Sequence, residues 1–246
     1  LTGSFSPVLR CFWCWEPYLF TNRNGGEGCM GRRSEKRCRL FWDIAKANIK
    51  HNFRWHFLLA VLLTGMIPVM FGTEQLSETV CAMPLEFMFS LVGILVFTPV
   101  FLPEQDPAIS QIVGTKAVER SFVEGVRTCY SALALVLLLG IFFLWLKENG
   151  CAVSVRLFWG TLGDCIFLGS LGFAAGAFTG NIVISYMIPV FFYTVSYFGK
   201  NKMGNFYLFS MMEGDFRPNA WLLGCGCFIL AGTLFIRWKH PPRERG

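Results

Sequence analysis

Long apolar stretches separated by short polar segments constrain the fold of this chain more than any other feature. A transmembrane helix needs about 20 mostly apolar residues to cross the hydrocarbon core of a bilayer. Stretches that approach this length lie at 55–71, 84–102, 130–146, 157–179, 181–198 and 220–238. The third is the clearest, because its run SALALVLLLGIFFLWL carries no charged residue. The sequence therefore predicts an all-α membrane protein with six transmembrane helices.

Composition favours one membrane domain over a soluble one. Of the 246 residues, 54% are hydrophobic and 15% are charged, whereas a soluble domain has roughly a quarter of its residues charged. We place the domain at 38–240, between an N-terminal segment, 1–37, and a cytoplasmic tail, 241–246. The segment 1–37 is expected to be disordered or an over-extended start. Met30 offers a second plausible start, so no function is assigned to residues 1–29.

The distribution of basic residues predicts which side of the membrane each loop faces. Seventeen of the 22 lysines and arginines lie before the first span, between the second and third spans, or from Arg237 at the end of the sixth span onward. Because such residues accumulate on the cytoplasmic side, both termini are expected in the cytoplasm. The expected location is the plasma membrane. The weakest boundary is Gly180 and Asn181. If they do not separate two spans, the carboxyl terminus moves outside.

Three segments outside the spans combine apolar and polar residues. Leu40–Arg54 is typical of an amphipathic interfacial helix before the first span, with a solvated basic linker as the alternative. Gly199–Asn219 has a centre too short to cross and too apolar for water, which indicates a re-entrant or interfacial piece. In the inner loop, Val118, Phe122 and Val126 repeat at i, i+4 and i+8, which predicts a short helix. That helix either docks a partner or folds back on the bundle.

The sequence contains no recognisable catalytic or cofactor-binding motif. Neither the phosphate-binding pattern GxxxxGK[ST] nor the metalloprotease pattern HExxH occurs, and the three histidines lie near the termini or the inner face. We therefore expect a protein that is not an enzyme, with no cofactor, no metal and no nucleic-acid partner.

The cysteines predict no external disulfide framework. Cys151 alone is expected well outside the membrane. The cysteines in or beside apolar runs are expected to behave as small hydrophobic residues; they are Cys81, Cys129, Cys165, Cys225 and Cys227. Cys11, Cys14, Cys29 and Cys38 form a possible zinc set, but their spacing matches no common zinc module.

Polar and small residues inside the spans are the remaining candidates for function. Asp164 lies within the fourth span, where an ionised group is costly, so it lines a transport path, makes a packing hydrogen bond or reaches the interface. Glu86 lies near the outer end of the second predicted span and is expected to reach the interface. Gly172, Gly176 and Gly180 form overlapping GxxxG steps, which indicate close helix packing within the bundle or between subunits.

The arrangement resembles the ABC-2 type permease family, the membrane subunits of a class of ABC transporters. The stretch FMFSLVGILVFTPVFLPEQDPAISQIVGTKAVERSFVEGVR, from Phe87 to Arg127, resembles the second span of that family, its Pro-Glu end and the basic segment that follows. The corresponding residues are Glu104, Lys116 and Arg127, with Arg120 nearby. Leu40–Arg54 would be the connecting helix of the family. The resemblance covers about residues 38–240.

The resemblance implies a transporter with divided labour. A separate ATPase subunit would hydrolyse ATP, and two permease chains, identical or related, would form the path through the lipid bilayer, mostly for export. A coupling helix would receive the ATPase through Lys116, Glu119, Arg120, Phe122, Glu124 and Arg127. A re-entrant element would match Asn205–Met212, and Asp164 and Glu104 are candidates for the transport path. The alternative is a six-span accessory, immunity or signalling protein that transports nothing.

Overall fold

The described part of the chain consists of helices and short connections, with no strands. The computed structural model describes residues 54–72, 76–105, 120–200 and 202–239, and for 102–105 and 120–122 it describes the backbone alone. The α-helices in these ranges are α1 Arg54–Phe71, α2 Glu78–Pro84, α3 Ser90–Phe97, α4 Arg120–Glu148, α5 Val155–Thr179, α6 Ile182–Phe198 and α7 Arg217–Lys239. A π-helical turn, Leu85–Phe89, joins α2 to α3, and a 3-10 helix, Thr98–Gln105, follows α3. The predicted all-α class is confirmed.

Several of these helices have the length and apolar character of membrane spans. Five qualify within the described residues: α1, the stretch Glu78–Phe101, the part of α4 from Val123 to Glu148, α5 and α7. Helix α6 is apolar but has 17 residues, so it is about 26 Å long against a hydrocarbon core of about 30 Å. The architecture is that of a multi-pass membrane protein, and the sixth crossing stays a prediction.

The second span begins earlier than the sequence indicated. Its helical structure starts at Glu78, not at Pro84, and Pro84 closes α2 instead of opening a helix. Proline has no N–H to donate to the preceding turn, and the chain continues past it as the π-helical turn before regular α-helix resumes at Ser90. Glu86 consequently lies about two turns inside the span rather than at its end.

The break between α5 and α6 is confirmed at the predicted residues. Gly180 adopts a left-handed backbone with φ 63°, which glycine tolerates without steric cost, and its N–H donates to the Gly176 carbonyl at 3.0 Å. Asn181 then caps α6, because its Oδ1 accepts a hydrogen bond from the Val183 N–H at 2.9 Å. Two helices therefore form where one long apolar run was possible.

Helix α4 differs from the prediction of a separate amphipathic helix before the third span. From Arg120 onward the chain is one continuous helix that runs to Glu148. The sequence has no proline between Arg120 and Tyr130 to interrupt the helix, so its first turns continue directly into the apolar part.

Helix α5 and the stretch Glu78–Phe101 form the centre of the bundle. The most apolar window of α5 is 72% buried inside the protein, whereas that of α1 is 17% buried. The exposed side chains of α1, α6 and α7 are mostly large and apolar, including Val69, Phe191 and Phe228. Such faces suit contact with lipid rather than with water.

Glycines bring the central helices together at their closest points. A Cβ on Gly93 would overlap the backbone of Cys165, and one on Gly169 would lie 2.8 Å from the Gly93 carbonyl oxygen. Further along the same face of α5, a Cβ on Gly172 would lie 2.9 Å from the Ser185 carbonyl oxygen of α6, and one on Gly176 would lie 2.7 Å from Ser185 Oγ. Nothing lies within 4 Å of a Cβ built on Gly180. Its part is to end α5.

Several sequence predictions fall outside the described residues. They are the N-terminal segment 1–37 with its possible zinc cysteines, the connecting helix 40–54 except its last residue, Lys116 and Glu119 of the inner loop, and the tail 241–246. These stay predictions.

Candidate functional site

The interior of the described bundle contains two polar clusters. We name them by the orientation that the sequence predicts. The outer network joins Glu86 and Asp164 to the segment between α6 and α7. The inner cluster consists of Glu124, Arg127 and Arg237 at the other end of the bundle. Ionisable groups within membrane spans are costly to keep, so they are default candidates for function.

Glu86 holds the segment between α6 and α7 against the second span. Its side chain is fully buried, Oε1 accepts a hydrogen bond from the Met211 N–H at 2.6 Å, and Oε2 accepts one from the Met212 N–H at 3.1 Å. The π-helical turn around Glu86 aims the carboxyl group at these donors. The expectation that Glu86 reaches the interface is therefore wrong, because the span starts at Glu78 and carries Glu86 inside.

Asp164 joins the same segment through Asn219. The Asn219 side-chain amide donates to Asp164 Oδ1 at 3.1 Å and to Oδ2 at 3.2 Å, and its carbonyl oxygen accepts from the Ser210 hydroxyl at 2.8 Å. An asparagine offers both donors and an acceptor, so it can bridge a carboxyl group and a hydroxyl group. Asp164 is fully buried, and its contacts link α5 to α7.

The two carboxyl groups of the network are joined to neighbouring residues of one segment. Glu86 accepts from the N–H groups of Met211 and Met212. Asp164 is linked through Asn219 to Ser210. In the described ranges, their hydrogen-bond partners are backbone N–H groups and the Asn219 amide, rather than lysine or arginine. The arrangement therefore binds three elements together without neutralising either carboxyl group by a cation.

The segment between α6 and α7 is buried at its centre. Two 3-10 turns, Gly204–Phe206 and Met211–Glu213, flank Leu208 and Phe209, which pack inside the bundle. The Leu208 N–H donates to Ser196 Oγ at 3.0 Å. Burial and the nearby Glu213 raise the pKa of Tyr207 to about 12, so its phenol stays protonated. These contacts agree with a piece that folds back rather than extending into water.

In the inner cluster, Arg237 connects four elements. It pairs with Glu124 through Nη2 to Oε1 at 2.6 Å and Nε to Oε2 at 2.9 Å, and its Nη1 donates to the Ala177 carbonyl at 2.8 Å. Its guanidinium group also lies 4.7 Å from the centre of the Phe101 ring. Two-point pairing of arginine with a carboxylate is among the stronger polar contacts in proteins. Both side chains are nearly inaccessible to solvent.

Arg127 extends this cluster to the end of the second span. Its Nη1 donates to the Val100 carbonyl at 3.2 Å, and its side chain is buried. The structure thus brings together two of the residues predicted to couple to an ATPase, Glu124 and Arg127, but it directs both into the bundle. Arg120 and Phe122 lie in the first turn of α4, and Glu104 lies in the 3-10 helix. The side chains of these three are outside the described parts.

The sequence marks several residues of the two polar clusters as candidates, but it does not indicate how they pair. Arg237 was counted as one charge of a basic tail, and Asn219 and Ser210 were not singled out. An acidic residue inside an apolar run is a signal that marks Glu86, once the run is extended back to Glu78. No local pattern points from Asp164 to Asn219 or from Glu124 to Arg237.

Comparisons with known proteins identify no family for this chain. No protein-family model, no curated protein and no solved structure matches the chain. The resemblance to ABC-2 permeases therefore stays a prediction from the sequence arrangement. In the described ranges, no group of three or more His, Cys, Asp or Glu side chains is placed to hold a metal ion.

Proposed function

We propose that the chain is the permease subunit of an ATP-driven exporter of the ABC-2 type, with ATP hydrolysis on a separate subunit. It would cross the plasma membrane six times with both termini in the cytoplasm, and it would work with a second permease chain. Its cargo would be a small molecule, a peptide or a lipid-like compound.

The anchoring of the inner loop carries this proposal. The loop leaves the 3-10 helix after Gln105 and re-enters the described structure at Arg120. Just before the loop, Val100 contacts Arg127 and Phe101 contacts Arg237. Just after the loop, Glu124 pairs with Arg237. A force applied to this loop by a partner would pass directly to the second span, α4 and α7. Such a connection suits a subunit that is driven by a partner protein.

The contacts of α7 with α5 support six crossings. Asn219, near the start of α7, lies beside Asp164, and Arg237, near the end of α7, lies beside Ala177. Helix α7 therefore runs parallel to α5 along the same part of the bundle. To start α7 at the outer end, the chain must return there from Gly180, and α6 would make that return. Its 17 residues form a helix about 26 Å long.

On this assignment, the coupling residues divide into two groups. Glu124 and Arg127 transmit force inside the bundle, because their side chains are buried and bonded. Lys116, Glu119, Arg120 and Phe122 would form the surface that touches the ATPase. Glu86 and Asp164 would hold the outer segment that opens when cargo leaves.

A second candidate function is a non-transporting accessory, immunity or signalling protein. One observation favours it: the carboxyl groups of Glu86 and Asp164 have hydrogen-bond partners within the chain. A purely structural network needs nothing more. The two proposals differ in whether an ATPase binds the inner loop.

Charge reversal in the inner loop separates the two proposals. We expect an ATPase that carries a phosphate-binding loop to co-purify with the full chain from its native membranes and to hydrolyse ATP. Glu119→Lys and Arg120→Glu should abolish the association. Lys147→Glu reverses an exposed charge at the opposite end of α4 and should leave it unchanged. Absence of an ATPase from the unaltered chain, or equal recovery from all variants, would contradict the proposed function.

A further inference from the structure

Two cysteines meet at the outer end of the bundle. Cys81 lies in α2 and Cys151 in the connection between α4 and α5, both as thiols. The Cys81 thiol donates to the Leu76 carbonyl at 3.7 Å, and the same carbonyl accepts the N–H of Ala152, the residue after Cys151, at 3.0 Å. Both side chains are buried and belong to the same apolar core cluster. Residues far apart in the sequence are thus brought side by side as a pair of thiols.

The surrounding backbone fixes both cysteines in place. The Ala152 N–H donates to the Leu76 carbonyl at 3.0 Å, and the Ser154 hydroxyl donates to the Glu78 carboxylate. These bonds lie within a few residues of Cys151 on one side and of Cys81 on the other. The Cys151 N–H also donates to the Leu146 carbonyl at 3.2 Å, which ties the connection to the end of α4. The two cysteines are therefore held on backbone segments that hydrogen bonds keep side by side.

We propose that Cys81 and Cys151 form a disulfide bond on the outer side of the membrane. This rests on the orientation in the proposed function, which places both residues in the oxidising compartment where disulfides persist. The two thiols lose two protons and two electrons, and a disulfide-containing oxidant accepts them and becomes two thiols. The bond would form before the outer end closes, and burial would then shield it from reductants.

The inference reverses an expectation from the sequence. Cys151 was the one cysteine placed well outside the membrane, so no external disulfide was predicted. The second span begins at Glu78, however, and Cys81 therefore lies in its first turns at the same end as Cys151. The early start of one helix supplies the missing partner.

Thiol trapping in native membranes tests the bond. Membranes are quenched in acid, denatured and alkylated, and the full chain is digested with and without reductant. We expect a linked peptide pair that contains Cys81 and Cys151 and disappears on reduction. Cys81→Ser should release Cys151 for alkylation, and Cys151→Ser should release Cys81. Cys227→Ser, which changes an exposed cysteine of α7, should leave the linked pair intact. Full alkylation of both residues in the unreduced chain would overturn the proposal.

A second arm distinguishes the contact from the orientation. The full chain is reduced in detergent, transferred to oxidised glutathione, and mapped in the same way. A link that forms in detergent and in membranes supports both the contact and the orientation. A link that forms in detergent alone overturns the assignment of this end to the oxidising side, and with it the proposed topology. Failure to form in either condition overturns the contact and leaves the topology untouched.

Discussion

Glu86→Ala should lower the free energy of unfolding by about 2–6 kcal/mol, since two backbone donors inside the bundle lose their acceptor at about 1–3 kcal/mol each. Those donors are the N–H groups of Met211 and Met212, which lie on the segment between α6 and α7. We further expect faster amide hydrogen exchange across that segment, because Glu86 holds it against the second span. Unfolding by denaturant in detergent, followed by tryptophan fluorescence, measures the first effect.

Two further variants make this result specific. Glu86→Gln retains one acceptor oxygen and should cost less than Glu86→Ala. Glu213→Ala removes a carboxylate from the same segment, but its partner is Lys200 at 2.7 Å in an exposed ion pair, which is worth about 0–1 kcal/mol. Equal effects of Glu86→Ala and Glu213→Ala would show that the buried carboxyl group does not hold the segment.

Breaking the buried ion pair of the inner cluster should be at least as costly. Arg237→Ala leaves Glu124 without its guanidinium partner, and Glu124→Ala leaves Arg237 without its carboxylate. Removing one member of a buried pair costs about 3–5 kcal/mol, because the other charge stays buried and loses this two-point contact. The double variant Glu124→Ala/Arg237→Ala leaves neither charge, so its cost should be well below the sum of the single variants.

The same unfolding measurement provides the control for this pair. Lys239→Ala removes an exposed charge from the last turn of the same helix and should change the free energy of unfolding by less than about 1 kcal/mol. Additive effects of Glu124→Ala and Arg237→Ala would contradict a direct pair. So would a loss from Lys239→Ala as large as that from Arg237→Ala.

Local signals in the sequence predicted the elements whose causes are local. The apolar stretches became helices, and the break at Gly180 and Asn181 appeared because a left-handed glycine and a capping asparagine act within a few residues. The start of the second span was missed for a related reason. Pro84 resembles a first helical residue, yet the helix already begins at Glu78 and passes through it by way of a π-helical turn.

The polar clusters could not be predicted because their partners are distant in sequence. Glu86 and Met211 are 125 residues apart, Glu124 and Arg237 are 113 apart, and Asp164 and Asn219 are 55 apart. Each pairing depends on how whole helices pack, which one sequence does not specify by spacing. The same holds for Gly93, whose close approach to Cys165 depends on the register between two helices.

Six crossings are the central claim, and cysteine labelling in intact cells tests them most directly. The variants Glu148→Cys, Asn181→Cys and Lys202→Cys each place one new thiol at an exposed residue beside the ends of α4, α5 and α6. A membrane-impermeant maleimide, compared with the unaltered chain, should label residues 148 and 202 but not 181 until the membrane is permeabilised. Labelling of residue 148 without residue 202, or labelling of residue 181 in intact cells, would contradict a crossing by α6.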